Sequence, residues 1–396
     1  MKLPKAVFEL EFSHGSIYGE EEKAAVLEVL ANNAPSCGPK VKQFEEDFAA
    51  YCNATYGLAV TSATTGLELA MIATDIGPGD EVITTPLSWI STANVIADRR
   101  AKVVFADVDP LTLNLNPASV AAKVTEKTKV ILPVHLYGQC CDMDAINEIA
   151  KPRGIAVVED AAHAAGAEYK GRKSGSLGDI GVFSFHQQKN MVTLGEGGLV
   201  TTSNKQFYER MLSYRSLCCR TYDPKGKYLA IDESVTPMEK RYWYLEFDGI
   251  GFNYRMTDIQ AAVGLVQLGR LPDLNARRIE IAERYTEGLR GIKGLQLPHI
   301  EPDRKHVFHI YTVLVKPEFA LNKEDFMWTL YTKKKIKVWS HYMPMHLTEI
   351  YRKLGHGEGE CPVAEELFDQ YVSIPIHPRM TDEAIQYVID SIRELA

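Results

Sequence analysis

Short apolar runs alternate with helical patterns along the first half of the chain. The stretches DEVITTP, KVVFADV, KVILPVHLYG and IAVVEDAAHAAG each carry a run of hydrophobic residues that is typical of a buried strand. Amphipathic helical patterns such as VKQFEEDFAAYC, TANVIADRRA and MDAINEIAKPRG lie before or between these stretches. Because strands and helices alternate over roughly 150 residues, we predict an α/β fold with a mostly parallel sheet that helices cover on both faces.

The pattern changes after about residue 276. A long polar helix is predicted over ARRIEIAERYTEGLRGI, and it is followed by an apolar strand in HVFHIYTVLV and a last helix in TDEAIQYVIDSIRELA. We therefore predict a large α/β domain over residues 1–270, which includes the N-terminal helices, and a smaller α+β domain over residues 271–396. Residues 216–250 form a long insertion without a clear period, and an insertion of this length is usually functional or contacts a partner.

Composition and charge narrow the class of protein. The chain has 396 residues, of which 45% are hydrophobic and 24% charged, and its net charge of -8 disfavours a general nucleic-acid surface. No apolar run reaches the ~18 residues of a membrane helix, and the N-terminus MKLPKAVFELEFSHG lacks the apolar run of a signal peptide. The seven cysteines have no CxxC spacing, which favours reduced thiols in a cytoplasm and no metal site.

The stretch VFSFHQQKNMVTLGEGG contains the first candidate for chemistry, Lys189. A lone lysine is most often a solvated surface charge. Lys189, however, lies between a predicted buried strand and the glycine-rich turn at residues 195–198, near the edge of the sheet where ligands of such folds collect. A lysine that is held in a partly dry site has a lowered pKa and becomes a usable amine.

A carboxylate is predicted at the same edge. Asp160 ends the strand AVVED, 29 residues before Lys189. Taken alone, Asp160 is best interpreted as a cap for the segment that follows it. A lysine and a carboxylate together are what a pyridoxal phosphate site needs, because the amine binds the cofactor and the carboxylate keeps its pyridine nitrogen protonated.

Two further features suit a phosphate and a flat ring. TSATTG follows a strand and opens a helix, so it offers N–H groups and hydroxyls to an anion, and Ser184 adds a hydroxyl five residues before Lys189. Trp89 follows the strand VITTPLS and suits stacking on a ring, although a lone tryptophan is more often part of a core or a rim. Each feature is weak alone, and their common place at strand ends makes the combination specific.

In this combination the chain resembles the sugar aminotransferases of the DegT/DnrJ/EryC1/StrS type, which belong to fold type I of the pyridoxal phosphate enzymes. The resemblance covers nearly the whole chain. Its most specific stretches are VVEDAAHAAGAEYKGRKSGSLGDIGVFSFHQQKN and GFNYRMTDIQAA, and further matches are TSATTGLELAM, GEGGLVTT and HYMPMH.

The resemblance implies roles for the residues that match. In that family the lysine matching Lys189 forms the internal aldimine with pyridoxal 5'-phosphate and later moves a proton between substrate and cofactor. The aspartate matching Asp160 pairs with the pyridine nitrogen. The Ala63–Thr64 turn and Ser184 are implied to hold the phosphate, and Trp89 to lie against the ring.

Other implied roles concern the partner subunit and the substrate. Asn253 matches the residue that reaches the phosphate from a neighbouring subunit, which implies a homodimer with two shared active sites. His163 is implied to lie beside the ring, and a hydrogen-bonded structural histidine is the alternative. His341 and Tyr342, in SHYMPMH, are implied to face the substrate.

The implied activity is transfer of an amino group from glutamate or glutamine to a keto-sugar, nucleotide-linked, with ping-pong kinetics. The insertion that begins SLCCRTYDPKGKY and the Val192–Leu194 segment depart from the family pattern near the substrate side. A cyclitol or another carbocyclic ketone is therefore an alternative acceptor. A cofactor-binding regulatory protein without turnover is a second alternative, against which the intact Lys189, Asp160 and Ser184 weigh.

Overall fold

The computed structural model describes residues 15–32, 36–220 and 245–396. The helices of this part of the chain are α1 Glu20–Ala31, α2 Pro39–Cys52, α3 Ala63–Ala73, α4 Ser91–Asp98, α5 Pro117–Lys123, α6 Met143–Ala150, α7 Lys205–Arg215, α8 Asp258–Leu289, α9 Lys323–Thr332, α10 Glu349–Lys353, α11 Pro362–Phe368 and α12 Asp382–Arg393. Its strands are β1 Tyr56–Val60, β2 Glu81–Thr84, β3 Lys102–Phe105, β4 Thr128–Leu132, β5 Ala156–Asp160, β6 Glu168–Tyr169, β7 Arg172–Lys173, β8 Ile180–Ser184, β9 Gly198–Thr202, β10 Cys219–Arg220, β11 Glu246–Phe247, β12 Leu295–Gln296, β13 Arg304–Lys305, β14 Tyr311–Val315 and β15 Tyr371–Ile374.

A seven-stranded sheet in the order β1-β9-β8-β5-β4-β2-β3 forms the centre of the fold. Only β9 runs against its neighbours, pairing antiparallel with β1 and β8, while the other neighbouring pairs are parallel. Every residue of β2, β8 and β9 is buried, as expected for strands that are covered on both faces. The predicted mostly parallel α/β sheet is therefore confirmed.

Two apolar layers cover the two faces of this sheet. Val158 of β5 and Val182 of β8 belong to one layer, together with residues of α3 and α4. Their neighbours Val157 and Phe183 belong to the other layer, with residues of α2 and α6. This division follows from strand geometry, because successive side chains point to opposite faces of a sheet.

The same alternation separates the two carboxylates that end β5. Glu159 is fully buried, and its carboxylate accepts hydrogen bonds from the N–H groups of Gly175, Leu177 and Gly178 at 2.7 to 2.8 Å. His135 Nε2 lies 2.9 Å from the same carboxylate. Glu159 thus fixes the loop before β8. The carboxylate of the next residue, Asp160, is directed to the other face of the sheet.

The C-terminal part of the chain forms a smaller layer of its own. The antiparallel strands β12, β14 and β15 pack with α9, α12 and the second half of α8 around a third apolar cluster. Helix α8 is continuous over 32 residues and passes through residues 270 and 271, where the sequence pattern places the domain boundary. That boundary stays a prediction.

Most of the predicted insertion over residues 216–250 lies outside the described residues. Its described ends come together in a two-stranded antiparallel pair, in which Cys219 faces Phe247. Among the described helices, none is long and apolar enough to cross a membrane.

Removing the Glu159 side chain should destabilise the fold without touching the sheet core. Glu159→Ala leaves three buried N–H groups and His135 without their acceptor, so we expect the free energy of unfolding to fall by about 3 kcal/mol or more. Urea denaturation followed by circular dichroism measures this change. The matched control is Glu148→Ala, at an exposed position of α6, which should change stability by less than about 0.5 kcal/mol. A loss below about 1 kcal/mol for Glu159→Ala would contradict this account.

Candidate active site

The carboxyl edge of the sheet carries the polar side chains that the sequence singled out. Asp160 ends β5 and Ser184 ends β8, and because these two strands are parallel neighbours, both residues lie at the same edge. The chain then turns back into β9 through a loop in which Gln187 N–H donates to Gly195 O over 2.9 Å and Gly195 has a φ of 101°. Lys189 lies in this loop, directly beyond the sheet edge.

Lys189 is half-buried and lines a cleft together with His309, His341, Tyr342 and Arg278. Its Nζ lies 3.4 Å from His309 Nε2. Burial of the amine lowers the pKa of Lys189 from the ordinary lysine value to about 8, and the negative charges of Asp160 and Glu196 act in the opposite direction. An amine with this pKa exchanges protons near neutral pH.

Asp160 is buried at the end of β5. Its carboxylate accepts a hydrogen bond from Thr92 Oγ1 at 2.8 Å and one from Ala162 N–H at 3.1 Å. Burial raises the pKa of Asp160, whereas these two hydrogen bonds and the positive charge of Lys189 act to lower it. The carboxylate is thus held by two donors in a site with little water.

Three imidazoles surround the amine of Lys189. His163 Nδ1 accepts a hydrogen bond from the Tyr137 N–H at 3.4 Å, so the proton of the neutral ring is assigned to Nε2. His163 Nε2 lies 3.1 Å from the hydroxyl oxygen of Tyr342. The rings of His163 and His309 are 4.4 Å apart. Burial, together with the charge of Lys189, holds the pKa of both rings well below the usual histidine range and lowers that of His341 to about 3. All three histidines are therefore neutral beside the lysine.

The segment that carries His341 and Tyr342 reaches the sheet edge from the C-terminal part of the chain. The Tyr137 hydroxyl donates to His341 O, and the Tyr371 hydroxyl donates to Tyr342 O. The Tyr342 ring lies 6.3 Å from the ring of Trp89 in an edge-to-face arrangement. Trp89 itself is 62% exposed.

The start of α3 forms a second wall of the site. Ser62 caps this helix by accepting from Thr65 N–H, and the N–H groups of Ala63 and Thr64 point out of the helix N-terminus without a carbonyl partner inside the helix. Gly198, which pairs with Ser184 across β8 and β9, lies so close to this turn that a Cβ there would meet Ala63 N at 2.7 Å. The hydroxyl of Ser184 and the helix N-terminus thus lie on neighbouring elements at one edge.

Asn253 is one of the predicted site residues that do not line the Lys189 cleft in one chain. It is exposed, and it lies in an extended segment where Phe252 N–H donates to Tyr214 O and Tyr254 N–H donates to Arg215 O. It is absent from the described lining of the Lys189 cleft. Its implied role toward a neighbouring subunit stays a prediction.

Sequence reasoning missed three residues that contact the site. Thr92 holds Asp160, His309 contacts Lys189, and Arg278 lines the same cleft. Thr92 lies in the first turn of α4, shortly after Trp89 and the end of a strand. This position could have marked Thr92 as a candidate site residue. His309 and Arg278 come from segments far along the chain, and neither stands in a local pattern that marks it.

These observations define the class of protein. A mostly parallel sheet that presents a half-buried lysine and a buried carboxylate at one edge, beside a helix N-terminus, is the arrangement of the fold type I pyridoxal-phosphate-dependent aminotransferases. A model of the DegT/DnrJ/EryC1/StrS aminotransferase family matches residues 16–393, and the chain belongs to this family. The resemblance that the sequence motifs indicated is therefore confirmed.

Relatives from bacteria match over nearly their whole length. The chain is 40% identical to the spore coat polysaccharide biosynthesis protein SpsC of Bacillus subtilis, over 96% of this chain and 95% of the relative. It is 37% identical to the GDP-perosamine synthase of Caulobacter vibrioides, over 94% of this chain and 95% of that enzyme.

Solved structures of aminotransferases have the same fold. The aminotransferase TlmJ from Streptoalloteichus hindustanus superposes with a TM-score of 0.87 at 34% identity, covering 97% of this chain and 98% of TlmJ. The pyridoxal phosphate form of the sugar aminotransferase Spr1654 from Streptococcus pneumoniae superposes with a TM-score of 0.88 at 29% identity, covering 98% of each chain. The protein is thus an aminotransferase of a family that acts on sugars.

The lowered pKa of Lys189 can be measured directly. In full-length protein freed of cofactor, we expect acetic anhydride to label Lys189 with a midpoint near pH 8, because burial disfavours the ammonium form. A free lysine-containing peptide in the same reaction serves as the reference and should label at higher pH, because its amine is fully solvated. Peptide mass spectrometry across pH 6–10, a range of about two units on either side of the midpoint, measures both.

Asp160→Asn separates the causes of this shift. The variant removes a negative charge that favours the ammonium, so the labelling midpoint of Lys189 should move to still lower pH while that of the reference peptide stays in place. Labelling of Lys189 and the reference peptide at the same pH would contradict the desolvated setting of the amine.

Proposed function

We propose that this aminotransferase binds pyridoxal 5'-phosphate at the edge of its seven-stranded sheet and transfers an amino group from glutamate or glutamine to a nucleotide-linked keto-sugar. The observation that carries the proposal is the pair of buried groups at one edge, the amine of Lys189 and the carboxylate of Asp160. The names of the two relatives above, a perosamine synthase and a polysaccharide biosynthesis protein, support a sugar as the acceptor.

The chemistry of the donor set fits this cofactor. The N–H groups of Ala63 and Thr64, with the hydroxyl of Ser184, suit a phosphate dianion at a helix N-terminus. The carboxylate of Asp160 suits a protonated pyridine nitrogen. When bound, the cofactor supplies an electrophilic carbonyl group and a ring that accepts electrons.

The protein's own residues would then handle the proton. Lys189, with a pKa of about 8, accepts and releases a proton at neutral pH without a large energetic penalty. The neighbouring His163 and His309 are neutral, so they do not repel the ammonium form of the lysine. Burial also raises the pKa of Tyr342, which keeps its hydroxyl protonated and able to donate a hydrogen bond to a substrate oxygen.

We further propose a homodimer with shared active sites. Asn253 is exposed in the single chain, and near it in the sequence the exposed apolar side chains of Leu245, Phe247 and Ile250 lie before the same extended segment. Ile250 is 92% exposed. Exposed hydrophobic side chains so close together in the sequence suit a protein–protein contact. A second subunit that covers them would bring its Asn253 toward the site.

We place the enzyme in the cytoplasm. All seven cysteines are free thiols in the structure, and five of them are buried. Free thiols persist in reducing compartments, which supports this location.

The function is tested with a panel of acceptors. Supplied with pyridoxal phosphate, the protein should convert glutamate to 2-oxoglutarate in the presence of nucleotide-linked keto-sugars, measured by coupled dehydrogenase assay and by mass spectrometry of the aminated sugar. Lys189→Ala should lower the rate at least about 10³-fold, because the proton-transferring amine is lost. Borohydride should attach the cofactor to Lys189 in the unmodified chain only.

The matched control is Lys205→Ala, which removes an exposed lysine and should leave the rate unchanged. An unchanged rate in Lys189→Ala would contradict the role of Lys189 in proton transfer. Faster amination of cyclitol ketones than of every nucleotide-linked keto-sugar would overturn the acceptor and leave the aminotransferase assignment in place.

Shared sites are tested by mixing two defective subunits. If Lys189 and Asn253 of one site come from different subunits, co-expressed Lys189→Ala and Asn253→Ala chains should regain activity, because each mixed dimer contains one intact site. Random assembly gives about a quarter of the wild-type sites. The rate of the purified mixture, compared with each variant alone, measures this. If the mixture is no more active than the sum of its parts, Asn253 does not act across the dimer.

A further inference from the structure

The described chain begins in contact with the loop that carries the reactive lysine. Gly15 N–H donates to Gln187 O over 2.9 Å. A Cβ on Gly15 would lie 2.1 Å from the carbonyl carbon of Gln188 and 2.1 Å from Lys189 O, far inside any normal contact distance. The backbone of residue 15 therefore rests directly on the Gln188–Lys189 peptide, and only glycine leaves room for this approach.

One buried arginine holds this contact in place. Arg278 of α8 is 1% exposed, and its Nη2 donates to Gly15 O at 2.5 Å. Its Nη1 lies 3.1 to 3.3 Å from the carbonyl oxygens of Phe308, His309 and Ile376. A buried charge is normally paired with an opposite charge. Among the described residues, Arg278 has carbonyl partners and no acidic one, and burial lowers its pKa to about 9.

The contacts of Arg278 converge on Lys189 from two sides. On one side Arg278 holds Gly15, which presses on the Lys189 backbone. On the other side it holds the backbone of His309, whose Nε2 lies 3.4 Å from Lys189 Nζ. Gly15, Lys189, Arg278 and His309 all line the same cleft.

Helix α8 also anchors the residues that follow Gly15. Gln267 accepts from the Ser16 hydroxyl at 2.6 Å and donates to Ile17 O at 2.9 Å, and Arg270 donates to Ile17 O at 3.1 Å. Gly15 therefore directly precedes residues that are fixed along one helix.

We propose that Gly15 and Arg278 form a clamp that positions Lys189 at the sheet edge. Arg278 is a positioning residue that acts through Gly15 and through His309. The contacts of the clamp exist whether or not the protein is an active transaminase. Its effect on turnover rests on the proposed function of Lys189.

The first test is Gly15→Ala, since the added methyl group must push the Gln188–Lys189 peptide away. We expect the acetylation midpoint of Lys189, in full-length protein freed of cofactor, to rise from near pH 8 toward that of the free lysine-containing peptide, because the displaced amine gains water. This variant leaves the charged and titratable groups around the amine unchanged. These groups are Asp160, Glu196, His163, His186, His309 and His341. We also expect kcat to fall about 10-fold or more with a smaller change in KM.

The matched control is Gly19→Ala in the same segment. A Cβ on Gly19 meets its nearest atom, Glu22 Oε2, at 3.5 Å, which is an ordinary contact. This variant should keep the Lys189 titration and kcat of the unmodified chain.

Arg278→Lys is the second variant. A lysine keeps the positive charge but presents a single nitrogen, which cannot bond Gly15 and the other three carbonyl groups at once. We expect the same rise in the Lys189 midpoint and the same fall in kcat as in Gly15→Ala. A thermal melt accompanies each measurement to show that the variant is folded.

Two outcomes would overturn the clamp. One is a folded Gly15→Ala protein whose Lys189 titration and kcat match those of the Gly19→Ala control. The other is an Arg278→Lys protein that melts earlier with an unchanged Lys189 titration, which would make Arg278 a purely structural residue. If the unmodified chain lacks transaminase activity while Gly15→Ala still shifts the titration, the proposed function fails and the clamp stands.

Discussion

The structure depends on keeping an amine and a carboxylate together where there is little water. Burial disfavours the charged form of both Lys189 and Asp160, so it lowers the pKa of the first and raises that of the second. Their mutual attraction opposes both shifts, and Thr92 and the N–H of Ala162 stabilise the carboxylate further. The parallel sheet makes this possible, because it brings the ends of successive strands to one edge while helices cover its faces.

The two carboxylates at the end of β5 show how strongly the site depends on the pairing register of this strand. Glu159 and Asp160 are chemically similar neighbours, yet Glu159 fixes a loop through three N–H donors and Asp160 accepts from Thr92 on the opposite face of the sheet. A shift of one residue in the pairing of this strand would exchange the two carboxylates between the faces. The six hydrogen-bonding groups that surround them, including His135, therefore specify the register of β5 as well as its stability.

The sequence predicts this fold and half of the site for a physical reason. Asp160, Ser184 and Lys189 each follow a buried apolar run, and the order of strands and helices brings such positions to one edge. His309 and Arg278 carry no comparable local signal, since their importance arises from packing against residues more than a hundred positions away. The domain boundary has no local signal either. Helix α8 has one continuous helical pattern, which does not reveal where the helix passes from one apolar layer to another. The role of Asn253 needs a second subunit, which a single sequence describes only through resemblance.

Helix α8 holds residues 15–17 from two points along its length. Gln267 and Arg278 are eleven residues apart, about three full turns and about 16 Å of helix, so both side chains leave the same side of α8 and converge on Ile17 and Gly15. Insertion or deletion of one residue between them would rotate one of them by about 100° away from the N-terminal segment. A change of length in this stretch of helix would therefore break contacts that reach the loop of Lys189.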